Sequence, residues 1–242
     1  MKKILLIIFF SFGFIFLLPD QADASIGFVA SASWEETGAT SYTRAFNNIG
    51  TANDMLVVGV GVTNNNSVTV TYNGDDVALR HTVTTVDSFT ARIFAKDGSL
   101  ATGSNNLVIG TYSGNSSIAW GAMILSGASG FGSTPTTETQ SGAGVALADI
   151  ITTESDNSWH IALLVKFSTA TISSADTTIR IQQANTTTGA TIALSTDLVA
   201  TAGVNTATFT YANNGGEAGI ASLEIKEGTS APVIKKQSEI FF

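Results

Sequence analysis

The stretch Ser67-Val68-Thr69-Val70-Thr71-Tyr72-Asn73-Gly74 decides the fold of this chain. Its valine and tyrosine side chains alternate with threonines, so the apolar residues would share one face of a β-strand. Asn73-Gly74 follows at once, and both residue types tolerate the positive φ angles of a tight hairpin turn. The alternation returns in Phe89–Lys96, and Asp97-Gly98 then gives a second turn signal. We therefore expect antiparallel β-structure with tight turns.

Four longer segments do not alternate. Met55–Val62 and Trp159–Phe167 are apolar at nearly every position, which predicts central strands that are covered on both faces. Ile118–Leu125 and Ala218–Ile225 form a second pair, each rich in small residues and followed by a glycine. Within each pair the spacing is roughly a hundred residues. Two interpretations stay open: an internal duplication, or a single two-sheet sandwich that uses long central strands twice.

These signals predict an all-β fold, since no helix of useful length is visible. We expect one jelly-roll-like antiparallel β-sandwich of about a dozen strands, in two sheets packed face to face. Ser129–Val145 is rich in Gly, Ser and Thr and would join two halves of that sandwich, with a crossover between its sheets as the alternative. The predicted core residues are Leu56, Val58, Val60, Val70, Ile93, Trp120, Ile124, Trp159, Ile161, Leu163 and Val165.

The N-terminus has the pattern of a secretory signal peptide. Two lysines precede the apolar run Ile4–Leu18, and Ala22-Asp23-Ala24 supplies small residues before Ser25. Cleavage between Ala24 and Ser25 would place the mature chain outside the cytoplasm, secreted or at the cell surface; the alternative is an uncleaved anchor. The predicted organisation is a signal peptide over 1–24, a β-sandwich domain over 25–228 and a C-terminal tail over 229–242.

The predicted tail ends in the apolar residues Ile240-Phe241-Phe242. It would dock on its own domain, pair with another subunit as an added strand, or be disordered, so self-association stays open.

Charge and composition exclude several partners and chemistries. The chain has 11 basic and 19 acidic residues, with a formal net charge of −8, and it has no basic cluster longer than Lys235-Lys236. Nucleic acid is therefore not expected as a partner. No second long apolar segment follows the signal peptide, so the mature chain is not expected to span a membrane. With no cysteine, the chain has neither disulfides nor thiol chemistry.

The order of the β-segments resembles a family of exported domains. It resembles uncharacterised bacterial and archaeal jelly-roll sandwiches related in shape to concanavalin-like lectins, over about Ser25–Glu227. The resemblance implies a surface, adhesive or glycan-binding module, although fold does not fix function. It carries over no ligand residue. The matching elements are Asn53–Val58, Val68–Gly74, Phe89–Lys96, Gly103–Val108, Ile118–Leu125 and Gly219–Ile225.

Exposed aromatic rings are the usual means of holding a sugar, because a ring face packs against the apolar face of a pyranose. Trp34, Tyr42 and Tyr112 are the candidate ligand-binding residues. Trp34 is the best of them, since it lies beside Glu35-Glu36 and close to a glycine turn. Trp120 lies in an apolar segment and is expected in the core.

Asp75-Asp76, directly after the Asn73-Gly74 turn, are the candidate metal ligands. Clustered oxygen ligands in a loop suit Ca²⁺. The alternative is that Asp and Asn are simply favoured turn residues. No other cofactor is expected.

Catalytic patterns are weak. Glycoside hydrolysis on such a sandwich needs two carboxylates on one strand face, whereas Glu35 and Glu36 point to opposite faces, as do Glu224 and Glu227. The sequence has no Gly-x-Ser-x-Gly motif, and His160 lies in an apolar strand that predicts a core position. We therefore expect a protein that is not an enzyme, with glycoside hydrolysis as the less favoured reading.

The predicted function is a binding or adhesion module for a glycan or another surface polymer. The alternative is a structural subunit of an extracellular fibre or surface assembly, in which the C-terminal tail pairs as a strand with a neighbouring subunit.

Overall fold

The computed structural model describes residues 25–51, 53–63, 66–85, 89–98, 100–111, 117–133, 138–140, 145–187, 189–212 and 215–228. They fall in one compact unit. In this part of the chain there are seventeen β-strands and no helix, so the all-β class is confirmed, with more strands than the dozen expected. The predicted signal peptide and C-terminal tail lie outside the described residues.

The first eight strands form one antiparallel sheet in the order β1-β8-β3-β6-β5-β4-β7-β2. The long strand β5 pairs with β4 near its start and with β6 over the rest of its length, so the sheet folds over on itself. The layer β4-β7-β2 therefore covers one face of β1-β8-β3-β6. The strands are β1 Gly27–Thr37, β2 Ser41–Asn48, β3 Met55–Val62, β4 Val68–Tyr72, β5 Asp75–Thr84, β6 Thr90–Lys96, β7 Gly103–Thr111 and β8 Ser117–Ser126.

The remaining strands form two sheets. One has six strands in the order β10-β17-β12-β15-β14, with β9 also paired to β17, and the other has the order β11-β16-β13. All pairs are antiparallel. The strands are β9 Ala128–Phe131, β10 Glu138–Gln140, β11 Ala146–Thr152, β12 Ser158–Phe167, β13 Ile172–Ser174, β14 Thr178–Asn185, β15 Ala190–Val199, β16 Val204–Tyr211 and β17 Ala218–Glu227.

The two halves have the same strand order, which favours the duplication. β17, β12, β15 and β14 take the places of β8, β3, β6 and β5, while β11-β16-β13 takes the place of β2-β7-β4. The interrupted pair β9 and β10 takes the place of β1. The segments Met55–Val62 and Trp159–Phe167, noted in the sequence, occupy matching central positions. We call Gly27–Ser126 repeat one and Ala128–Glu227 repeat two.

Three cores separate four layers of sheet. Trp120, Tyr72 and Leu107 belong to the core inside repeat one. Leu163 and Ile192 from repeat two pack against Ile93 and other residues of repeat one in a central core. Leu164 and Phe209 belong to the core inside repeat two. All eleven predicted core residues are buried.

The expectation of two sheets was wrong. The structure has three sheets, and the first folds over on itself, so that they form four layers. The segment 129–145 was expected to join two halves of one sandwich, but it lies within repeat two, where it contributes β10 and most of β9. The central strands of both repeats are buried at nearly every position because a sheet covers each of their faces. The antiparallel sandwich architecture is confirmed, whereas the jelly-roll topology is not.

The predicted hairpin joins β4 to β5. Asn73 has a φ angle of 52° and Gly74 one of 86°, as a two-residue turn of this type requires. Val70 pairs with Val77 across the hairpin, which places the apolar side chains of β4 on the inner face.

Candidate ligand-binding cleft

A polar cleft of about 190 Å³ lies at the junction of the two repeats. Repeat one contributes Glu35, Glu36 and Thr37 from the end of β1. Repeat two contributes Asn185 and Thr187 from the end of β14 and the turn that follows it. Ligand sites in proteins favour such junctions, so this cleft is the candidate site.

Alternation along β1 sends neighbouring side chains to different repeats. The Ser33 hydroxyl donates to Gln183 Oε1 of β14 at 3.0 Å, and Glu35 on the same face accepts hydrogen bonds from Thr186. Glu36 points the other way, toward Arg44 of β2. The two carboxylates therefore approach the cleft from opposite faces of the strand.

The two carboxylates differ in their partners. Glu35 is exposed and accepts the backbone N–H of Thr186 at 2.7 Å, with the Thr186 hydroxyl 3.3 Å away; both groups are neutral. Glu36 accepts Arg44 Nε at 2.6 Å and Nη2 at 2.5 Å, so a guanidinium balances its charge. Among the described residues that line the cleft, none has a cationic side chain. The cleft therefore carries a net negative charge from Glu35.

Asn185 fixes the cleft wall and joins the repeats. Its side chain is buried, and Nδ2 donates to the carbonyl of Glu36 at 3.2 Å and to that of Ile118 at 3.3 Å. Its Oδ1 accepts the backbone N–H of Thr187 at 3.0 Å. The amide is thus committed to holding the turn against β1 and β8.

Trp34 neighbours the cleft but belongs to the core inside repeat one. Its ring centroid lies 4.3 Å from that of Trp120, its cross-strand neighbour, and 6.2 Å from that of Phe46. The side chain is half-buried. One ring face is therefore occupied by Trp120, and any ligand contact would use what remains.

Tyr42 does not form part of a surface platform, which corrects the expectation for this residue. It is 8% exposed, and its hydroxyl accepts the backbone N–H of Ala39 at 2.9 Å. Alternation along β2 puts Tyr42 and Phe46 on the inner face, so the ring has no free face for a sugar. Tyr112 lies outside the described residues.

Asp75 and Asp76 open β5 and are exposed. Asp75 Oδ2 lies 3.2 Å from Lys96 Nζ, so one of the two carboxylates is already paired. Across the described residues, no three His, Cys, Asp or Glu side chains come together in a group that would hold a metal ion. Calcium binding here stays a prediction.

Glu224, weighed in the sequence as a catalytic candidate, is a structural carboxylate. It is buried and accepts backbone N–H groups from Ser133 at 3.0 Å, Glu154 at 3.0 Å and Ser155 at 3.1 Å. Burial alone raises the pKa of this carboxyl, but the backbone hydrogen bonds outweigh burial and lower the pKa below its usual 4.5. The carboxylate thus binds the loop at Ser133 and the loop at Glu154 and Ser155 to β17.

A second buried polar cluster lies between the sheets of repeat two, and sequence reasoning missed it apart from His160. The Ser222 hydroxyl donates to Asp149 Oδ2 at 2.5 Å, and His160 Nε2 lies 3.6 Å from the same oxygen. His160 Nδ1 is 2.7 Å from Asn205 Oδ1. These groups come from strands far apart in sequence, so no local motif predicts the cluster.

This cluster has the residue types of a serine hydrolase triad but not its arrangement. The carboxylate of Asp149 stands between Ser222 and His160, whereas a triad places the imidazole between the other two groups. Asp149, His160 and Ser222 are all 0% exposed. The cluster joins β11, β12 and β17 inside the protein.

The chain has no match among protein-family models, curated proteins or solved structures. Its class is therefore defined by its own architecture, an antiparallel β-sandwich of two similar repeats. In the part of the chain that the structure describes, no helix is long and apolar enough to cross a membrane. The resemblance to lectin-like jelly rolls stays a prediction.

Proposed function

We propose that this chain is a secreted or cell-surface β-sandwich protein, not an enzyme, that binds a glycan or another surface polymer in the cleft between its repeats. The observation that supports this most directly is the lining of the cleft: two carboxylates, an amide and two threonines around about 190 Å³. The exposed groups among them, Glu35, Thr37 and Thr187, can exchange hydrogen bonds with sugar hydroxyls. The cleft is smaller than the roughly 300–1,000 Å³ of a typical small-molecule pocket, so it suits one sugar unit of a longer chain.

The negative charge of the cleft restricts the chemical class of the proposed ligand. Glu35 has neutral hydrogen-bond partners, while Arg44 balances Glu36. An anionic polymer would meet an uncompensated negative charge in a chain whose formal net charge is −8. The ligand is therefore a neutral polysaccharide or one that carries free amino groups.

The placement of the carboxylates supports a binding function over hydrolysis. Glu35 and Glu36 diverge to opposite faces of β1, and the Glu224 carboxylate is enclosed by backbone N–H groups. General acid and base catalysis needs two carboxyl groups that flank one glycosidic bond. Neither pair weighed in the sequence has that arrangement.

The test is a binding screen of residues 25–242 against neutral, amino-bearing and acidic polysaccharides, with calorimetry for the ligands that bind. Glu35→Gln removes the charge from the cleft, and Asp76→Asn is the matched control on a distant exposed carboxylate. We expect Glu35→Gln to weaken binding of an amino-bearing polysaccharide about 10-fold, the equivalent of ~1.4 kcal/mol. Equal affinity in both variants, or no binding by the wild type, would contradict the proposal.

One observation favours the alternative, a structural subunit of an extracellular assembly. On the outward face of the β11-β16-β13 sheet, Ile150 is 53% exposed and Val204 is 73% exposed. Exposed apolar side chains on a sheet face favour association. Light scattering on the same sample tests this alternative, which expects polymers that grow with concentration and disappear when 229–242 is deleted.

A further inference from the structure

Among the described residues, the outer edge of β17 is paired in two separate sections. In repeat one, β1 pairs with β8 along nearly its whole length. The matching edge of β17 is divided, because β10 pairs with Ala218–Ile220 and β9 pairs with Ile225 and Glu227. Among the described residues, neither strand pairs with Ser222, which lies between these two sections.

Glu224 shows which way the backbone of this section faces. Its N–H donates to the carbonyl of Ser133 at 3.1 Å, and its carbonyl accepts the N–H of Gly132 at 3.0 Å. Ser222 is two residues earlier, so its N–H and carbonyl also face the outer edge. Buried backbone groups in such a position need partners.

His81 of repeat one contacts the backbone of Ser222 between these two sections. The Ser222 N–H donates to His81 Nδ1 at 3.0 Å, and the same nitrogen lies 3.0 Å from the Ser222 carbonyl oxygen. The register of β5 shifts between Leu79 and His81, and the guanidinium of Arg80 lies 3.7 Å from the centroid of the Phe131 ring. A side chain from one repeat thus supplies a hydrogen-bond partner at the edge of a strand of the other.

We propose that His81 is an acid-sensitive latch between the two repeats. With its proton on Nε2, the neutral imidazole accepts the Ser222 N–H through the lone pair of Nδ1. A protonated imidazole has no such lone pair, and its Nδ1–H donates instead to the Ser222 carbonyl oxygen. Acid therefore breaks the hydrogen bond from the Ser222 N–H and leaves only the one to the Ser222 carbonyl.

The surroundings of His81 disfavour the charged form. Burial lowers the pKa of His81 below its ordinary 6.5, and the bond to Ser222 and the charge of Asp149 offset only part of that effect. Asp149 reaches this region from β11, where it accepts the Ser222 hydroxyl.

Six charged side chains on β5 and on the strands near it have partners of their own. Arg80 lies over Phe131, Glu224 accepts loop N–H groups, Lys226 pairs with Glu154, Lys96 pairs with Asp75, Arg92 donates to the carbonyl of Asn66, and His160 contacts Asn205.

The sign of the pH effect follows from linkage. Because the folded pKa is lower than 6.5, the unfolded chain takes up a proton before the folded chain as the pH falls. The latch contributes stability above 6.5 and loses it as the pH falls through the folded pKa. Acid should therefore loosen the junction between the repeats.

Thermal unfolding of the full chain between about pH 7.5 and pH 5 tests the latch. Wild type should lose Tm over this range, and His81→Gln, which has an amide oxygen as a permanent acceptor, should lose less. Arg80→Gln is the matched control, because it weakens the same junction without removing the titrating group and should keep the wild-type slope. An unchanged slope in His81→Gln would overturn the proposal.

A second measurement does not depend on the variant folding. The chain has two histidines, so their ring signals can be followed in an NMR titration. We expect His81 to titrate below 6.5, with loss of hydrogen-exchange protection at the Ser222 amide over the same range. Titration of His81 at or above 6.5, or unchanged protection at Ser222, would contradict the latch.

Discussion

Gly132 and Glu224 are fitted to each other so closely that a methyl group at position 132 would overlap the carboxylate. A Cβ atom built on Gly132 lies 1.8 Å from Glu224 Oε2. The backbone of Gly132 also donates to the carbonyl of Glu224, so the loop cannot move away without breaking that bond. Repeat two depends on this contact to hold the end of β9 and the loop after it against β17.

Gly132→Ala should therefore destabilise the protein by about 2–4 kcal/mol, through displacement of a buried, hydrogen-bonded carboxylate. Urea unfolding measures the loss. Ser129→Ala, in the same connection, removes an exposed hydrogen bond to the carbonyl of Glu227 and should cost less than about 1 kcal/mol. Equal losses in the two variants would show that Gly132 has no special role.

Glu224 should make stability sensitive to acid. Its folded pKa is below the ordinary 4.5, so its contribution is present above pH 4.5 and is lost as the pH falls through the folded pKa. Glu224→Gln should reduce stability at neutral pH by about 2–3 kcal/mol, because an amide satisfies the loop N–H groups poorly. It should also flatten the stability profile below pH 4.5. A profile that stays as steep in the variant would assign the acid sensitivity to other carboxylates.

The central core depends on a glycine where the repeats pack together. A Cβ atom on Gly61 would lie 2.6 Å from Cγ2 of Ile192 and 3.1 Å from Cγ2 of Val165. Gly61→Ala should cost about 1–3 kcal/mol through overpacking. In a double-mutant cycle, Ile192→Ala should recover part of that cost, because it removes the nearest methyl group. Strict additivity of the two variants would mean that the repeats do not press together at this point.

Asn185 should matter for stability as well as for binding. Asn185→Ala leaves the carbonyls of Ile118 and Glu36 without its amide and frees the Thr187 N–H. We expect a loss of about 1–3 kcal/mol in chemical unfolding. Thr37→Val, which changes a residue of the cleft lining without touching this amide, should leave stability within about 0.5 kcal/mol of wild type.

Local features of this fold could be predicted from the sequence. The bounds of β3 match the apolar segment Met55–Val62, and the Asn73-Gly74 hairpin forms where its residue types allow positive φ. Both depend on periodicity and turn chemistry, which act over a few residues. The burial of Trp120 and Trp159 follows from the same pattern.

Long-range partners could not be predicted. Continuous apolar strands show that both faces are covered, but they do not show whether the cover comes from one sandwich or from two stacked repeats. Tyr42 was expected at the surface but is buried. Its strand alternates only weakly, because the exposed Arg44 lies on the same strand face as the buried residues. The pairing of His81 with Ser222 and the enclosure of Glu224 by two loops depend on the tertiary fold.

Because the two repeats share the central core, repeat one exposes part of its apolar surface during synthesis until repeat two is made. Repeat one is complete on its inner side first, but Met55, Val57 and Ile93 face a partner that is made only when β12, β15 and β17 follow. Until then the nascent protein presents a wide apolar sheet to any other unfinished copy. Repeat one alone is thus prone to aggregation, and repeat two removes that risk when it folds over the apolar face.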